Sequence, residues 1–211
     1  MAETIASPRD RFIAATETML REAGMAAAGI KDVAVRSGAP IGSLYHYFPG
    51  GKTQLVGEAL RRHATRLPLI TARGFDGKRT AAAAVQAMFN AAADGFERGG
   101  ADKGCAVGAV TLDLTSDDAA LRTICQKAFD AWVDDVAARL PVPDPRARRS
   151  LAVTIVGAIE GSFVLARAGG NGQPFRDAGK WLSVLLAGIE GKRARRSARR
   201  RPSRTPGSSK S

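Results

Sequence analysis

Apolar residues recur three and four positions apart through most of the chain, and no segment holds a sustained strand-like alternation of β-branched and polar residues. The pattern predicts an all-α protein. Pro8 opens the first helix, with Ser7 as its N-cap. Phe12, Ile13, Ala15, Thr16, Met19, Leu20 and Ala23 mark its inner face, and Gly24 ends it. A short helix follows over Ile30–Ser37, Gly38 turns the chain, and a third helix runs over Ile41–Tyr47 until Pro49-Gly50-Gly51 breaks it. A fourth helix is expected over Lys52–Leu67. Pro68 and Gly74-Phe75-Asp76-Gly77 then read as a connector. Further helices are expected over Thr80–Arg98, from Asp117-Asp118 to Leu140, over Asp144–Ala168 and over Pro174–Gly191, with an irregular apolar piece at Ala109–Leu114.

Composition adjusts this picture in two places. The formal charge is +12 over 211 residues, but residues 192–211 hold nine Lys or Arg and no acid. Without them, 23 bases face 20 acids, so the basic character is largely a tail. Its Pro, Ser and Gly content predicts disorder, with salt-sensitive attraction to phosphate as one role and plain solubilisation as the other. The two cysteines, Cys105 and Cys125, lack metal-ligand spacing and read as cytosolic thiols. The N-terminus has no apolar signal core. The longest apolar run, near Leu151–Ala168, is interrupted by Glu160 and Arg167 and reads as a buried helix. These features predict a soluble, cytoplasmic protein.

The densest chemical signal is Ser37-Gly38-Ala39-Pro40-Ile41-Gly42-Ser43-Leu44-Tyr45-His46-Tyr47-Phe48-Pro49-Gly50-Gly51-Lys52. Small residues at the start of a short helix let it approach base edges closely, and polar aromatic tips reach phosphates. Val33, Ala34, Leu44 and Phe48 supply an apolar inner face, and Gly38 suits a left-handed turn. Tyr45 and His46 can donate to phosphates, and Lys52 adds charge at the next helix start. Pro49-Gly50-Gly51-Lys52 lacks the spacing of a phosphate-binding loop.

Residues 8–67 resemble the helix-turn-helix head of the TetR family of transcriptional regulators. The matching elements are Glu22-Ala23-Gly24, Ile30-Lys31-Asp32-Val33-Ala34, Ser37-Gly38, Gly42–Phe48 and Lys52-Thr53-Gln54-Leu55. The resemblance implies that Ile41, Gly42 and Ser43 lie nearest the bases. Pro40, Tyr45, His46 and Lys52 would hold the DNA backbone, with Lys31 as a further contact. One departure stands at Ala28-Gly29, where the family usually has a Thr/Ser pair that caps the second helix. Residues 1–60 carry six bases and six acids, so bulk charge does not supply affinity. Two heads one DNA turn apart would read a palindrome. The chain accordingly divides into a DNA-binding head, 1–51, a helical ligand-binding and dimerisation domain, 52–191, and the tail, 192–211.

Gly104–Leu114, together with Phe48–Lys52, resembles the LmrA/YxaF-like branch, whose described members respond to antibiotics or flavonoids. That implies a small aromatic or amphipathic effector. Candidate pocket residues are Met88, Phe89, Phe96, Cys105, Val107, Leu112, Ile124, Phe129, Trp132 and Phe163. Cys105 reads as a small packed residue, since only Lys103 nearby would lower its pKa. The last two helices carry Ile155, Ile159, Phe163, Trp181, Leu185 and Ile189, with Gly157, Gly161, Ala187 and Gly188 permitting close approach. They could pair with a second copy as a four-helix bundle, and the resemblance makes this the dimer interface.

An enzyme would need a nucleophile with a base, convergent carboxylates or a metal cluster. The only histidines are His46 and His63, and Asp117-Asp118 and Asp134-Asp135 diverge on a helix. No metal, cofactor or catalytic role is expected. The expected function is a ligand-responsive repressor that binds operator DNA as a homodimer and is released by its effector. The alternative is a nonspecific or architectural DNA-binding protein driven by the basic tail.

Overall fold

The computed structural model describes residues 7–100 and 104–199, with side chains to residue 193. Ten α-helices and no strands occur among them: α1 Pro8–Ala27, α2 Ile30–Ser37, α3 Ile41–Tyr47, α4 Gly51–Ala64, α5 Leu67–Phe75, α6 Ala81–Gly99, α7 Ala106–Asp113, α8 Ala119–Ala138, α9 Pro145–Gly169 and α10 Gln173–Arg199. The all-α expectation holds. Caps lie where the sequence offers oxygen acceptors: Ser7, Thr80 and Asp144 accept from the N–H three residues on.

Four local readings are corrected. Gly24 does not end the first helix but kinks it: its φ of 70° breaks the ladder, and one more turn follows to Ala27. The fourth helix stops at Ala64, and the expected connector is α5, because Pro68 in a first turn lacks only an N–H that would be unpaired there anyway. The apolar piece is helix α7, with Cys105 as N-cap and its Sγ 3.5 Å from the Gly108 nitrogen. Helix α10 continues through Arg199, eight residues into the segment expected as a tail; residues 200–211 lie outside the described residues.

Helices α2 and α3 pack on α1, and α4 packs both on α1 and on α7 and α8, bridging the head expected over 1–51 and the body. The body is α5 to α10, with α6 packed on α5 and α10, and α8 packed on α9. Head and body join where α1 meets α7 and where α4 meets α8. Body packing is close. A Cβ on Gly179 would lie 2.6 Å from the Phe89 Cβ, and one on Gly74 would lie 2.5 Å from the Met88 Cβ. Trp132 is buried and donates its indole N–H to the Thr71 hydroxyl at 3.0 Å, so its one polar group is satisfied. Helix α9 has the length and apolarity of a membrane span. Its Ala152, Ile155, Val156, Ile159 and Ala166 are buried within the protein, while Val153, Val164 and Leu165 are exposed.

Candidate DNA interface and ligand cavity

The head is built around Phe12, Val33, Leu44 and Phe48, each fully buried. Phe12 meets Phe48 edge-on at 6.2 Å between ring centroids. Gly38 takes a left-handed conformation (φ 63°, ψ 23°) between α2 and α3. Arg11 of α1 donates to the Gly38 carbonyl at 3.0 Å, and the Ser37 hydroxyl receives the Ala39 N–H at 3.2 Å. The turn is thus fixed from both sides. Helix α2 has no side-chain cap at Gly29, as Ala28-Gly29 implied. A Cβ on Gly29 would stand 2.6 Å from the Asp32 carboxylate, which lies over the helix N-terminus where a negative charge is favoured.

This arrangement leaves one face of α3 in solvent. Pro40, Ile41, Gly42, Tyr45 and His46 are exposed, as is Lys31 on α2, and Ser43 is half-exposed with its hydroxyl on the Pro40 carbonyl at 2.7 Å. Lys52 behaves differently from the expectation. It is half-buried, and its ammonium donates to the Met25 carbonyl at 2.8 Å, tying the start of α4 to the end of α1.

An apolar cavity of about 330 Å³ lies between α7, α8 and α9. Of the expected pocket residues, Cys105, Leu112, Phe129 and Phe163 line it. Met88, Phe89, Phe96, Val107 and Trp132 do not; they are buried elsewhere in the core. Ile124 does not line it either, because its side chain faces Gly57 of α4. Eight lining residues escape the sequence reading, among them Gly108, Thr111, Glu160 and Arg167. The available signal was Glu160 itself, a lone carboxylate inside an apolar run. Gly108 gives no local signal, since its need for a bare Cα comes from across the cavity: a Cβ there would fall 2.2 Å from Glu160 Oε2.

Glu160 is the polar centre of the cavity. Its Oε1 is buried without a hydrogen-bond partner among the described residues. Burial pushes its carboxyl up to about 7, only partly offset by a hydrogen bond with the Cys105 thiol. Burial and the neighbouring Glu160 charge also push Cys105 well above the usual thiol range, which makes it a packed thiol and not a thiolate. Behind Cys105, His63 Nε2 lies 3.7 Å from the sulfur, and His63 Nδ1 lies 3.2 Å from Glu17 on α1. Burial alone would raise the Glu17 carboxyl, but the His63 hydrogen bond and the charges of Arg66, His63 and Arg62 hold it below the usual range.

The cavity walls also grip the kink of α1. Gly104 exchanges two hydrogen bonds with Arg21, at 2.9 and 3.1 Å. Asp113 at the end of α7 accepts from the Met25 N–H at 2.7 Å, and Arg167 of α9 donates to the Glu22 carbonyl. Glu22 in turn pairs with Arg36 of α2 at 2.7 Å.

On the outer side of α9 and α10, Trp181, Leu165, Val184 and Leu185 are exposed; Val164, also exposed, lines the cavity instead. A Cβ on Gly157, Gly161 or Gly188 would meet nothing within 4 Å. Of the expected interface residues, Trp181 and Leu185 lie on this open face, and Phe163 and Ile189 are half-buried. Ile155 and Ile159 are removed from it, being 0% and 1% exposed inside the chain.

A helix-turn-helix head carried on a helical body with its own cavity defines the helix-turn-helix class of transcriptional regulators. Residues 12–59 match the family model of bacterial regulatory proteins of the tetR family, and residues 81–181 match the C-terminal domain of LmrA/YxaF-like transcriptional regulators. The chain belongs to the TetR family, in its LmrA/YxaF-like branch. It is 34% identical over 182 residues to an uncharacterised HTH-type transcriptional regulator of Mycobacterium tuberculosis, covering 76% of this chain and 84% of that one. It is 27% identical to the HTH-type regulator LmrA of Bacillus subtilis, over 84% of this chain and 96% of LmrA. A TetR regulator from Legionella pneumophila has the same fold, with a TM-score of 0.73 at 19% identity over 87% of this chain and 99% of that one.

Proposed function

We propose that the protein is a cytoplasmic, ligand-responsive repressor, without catalytic activity or cofactor, that binds a palindromic operator as a homodimer. A small aromatic or amphipathic effector in the cavity releases it. The observation that carries this reading is the continuity between cavity and head: α7 and α9 line the cavity and also hold Arg21, Glu22 and Met25 at the α1 kink. A ligand that pushes α7 moves the end of α1, and with it Lys52 and Arg36, which orient α4 and α2. Tenfold release needs only about 1.4 kcal/mol of differential affinity between the two arrangements. The DNA contacts are assigned to Lys31, Pro40, Ile41, Gly42, Ser43, Tyr45 and His46, with Lys52 acting mainly as a staple. Pairing of the exposed α9 and α10 faces would set two heads at a fixed spacing.

The test is a mobility-shift titration on the DNA upstream of the gene, against scrambled DNA, at physiological salt. A discrete shift confined to the upstream fragment, weakened at least tenfold by Tyr45→Ala, is expected. Equal binding of both fragments, abolished by deleting residues 192–211, would replace this reading with nonspecific binding by the basic segment.

A further inference from the structure

The geometry points to Glu160 as an anchor for a protonated amine, so that the ligand of this cavity is an aromatic cation; the inference rests on the cavity being the effector site. The cavity offers the ligand apolar walls from Leu112, Phe129 and Phe163 and one carboxyl group. That carboxyl has a buried oxygen, Oε1, with no hydrogen-bond partner among the described residues. Such an atom lacks a hydrogen bond it would have in water, and a donor on a ligand restores it.

Among the described residues no side chain supplies a counter-charge either. Arg167, on the same helix, turns its guanidinium to the Glu22 carbonyl. From α7, Cys105 presents a neutral thiol, and Asp113 is engaged by the Met25 N–H. His63 of α4 stands behind Cys105 and faces Glu17. Arg21 of α1 is held by Gly104, and α8 presents Phe129, which carries no charge. The Thr111 hydroxyl is committed to the Val107 carbonyl at 2.7 Å. A ligand that brings a positive charge therefore pairs the carboxylate where no described side chain does, and in an apolar site that pairing outweighs the same contact in water.

Binding would also drive a proton off Glu160. With its carboxyl held near 7, the free cavity is mostly protonated at pH 6 and mostly ionised at pH 8. A cation that requires the ionised form binds about tenfold more tightly at pH 8 than at pH 6.

The experiment is calorimetric titration of the full-length protein with three matched probes: 2-naphthylmethylamine, 2-naphthylmethanol and 2-naphthoate. The amine should bind at least tenfold more tightly than the alcohol and the carboxylate, with the stated pH dependence. Glu160→Gln should bring amine and alcohol within about twofold of each other and flatten the pH profile. Equal or tighter binding of the alcohol or carboxylate by the unmodified protein would overturn the inference while leaving the cavity as a ligand site. Unchanged amine binding in Glu160→Gln would do the same. Failure of all three probes would overturn both. Amine binding that leaves operator DNA bound would sustain the anchor and refute ligand-triggered release.

Discussion

Glu160→Gln should make the protein more stable in mildly alkaline solution. The carboxyl is raised from 4.5 to about 7 by burial. That difference corresponds to about 3 kcal/mol between its two protonation states. The sign follows from proton linkage. Between the unfolded and folded pKa values the native state binds more protons, so stability falls as pH rises through this window and is flat above it. Glutamine carries no ionisation cost and has nearly the same shape. The variant should therefore lie within about 1 kcal/mol of the parent at pH 5 and exceed it by roughly 3 kcal/mol at pH 8. For a chain of this length that is a gain of roughly 6–12 °C in Tm. Urea denaturation and thermal scans of both proteins, at one fixed protein concentration from pH 5 to 8, isolate the effect, because every other titrating group is common to the two. Parallel pH profiles would refute the claim that Glu160 is buried without compensation.

Three other perturbations probe different parts of the molecule. Leu44→Ala empties a fully buried site in the head and should cost about 3 kcal/mol, abolishing operator shifts while far-ultraviolet circular dichroism of the body persists. Glu17→Gln removes the carboxylate shared by His63, Arg62 and Arg66 and should destabilise by about 2 kcal/mol at pH 7, discounted for the partly exposed arginines. Because the Glu17 carboxyl is held below its usual range, that loss should shrink as pH falls below about 4.5 in urea melts. Trp181→Glu places a charge on the exposed α9/α10 face and should convert a dimer to monomers in sedimentation velocity; an unchanged sedimentation coefficient would move the interface elsewhere.

Sequence reading was strongest where structure is local. The limits of α2 and α3 were legible because Gly38 and Pro49-Gly50-Gly51 act within a few residues of themselves. Cap residues and the inward positions Val33, Leu44 and Phe48 follow from the same short-range rules. From sequence Pro68 reads as part of a connector, because a proline that starts a helix and one that ends it differ only in the backbone around them. The kink at Gly24 was read as an end for a similar reason: a left-handed glycine stops a helix, and only packing against α7 decides whether another turn follows.

The cavity was the least legible part. Phe89, Phe96 and Trp132 have the composition of pocket walls, yet they fill core between α5, α6, α8 and α10, and aromatic content cannot distinguish a wall from a plug. Ile155 and Ile159 share α9 with Val164 and Leu165, and which pair faces inward depends on where α8 and α10 lie. By itself the sequence determined an all-α chain and the elements of a DNA-reading head, because helix periodicity, caps and tight turns are properties of neighbouring residues. Only the tertiary structure decided that Lys52 is a staple, that Glu160 lies in a cavity unpaired among the described residues and that the cavity wall holds the α1 kink. Those facts join residues 27 to 145 positions apart, and nothing in local sequence encodes such distances.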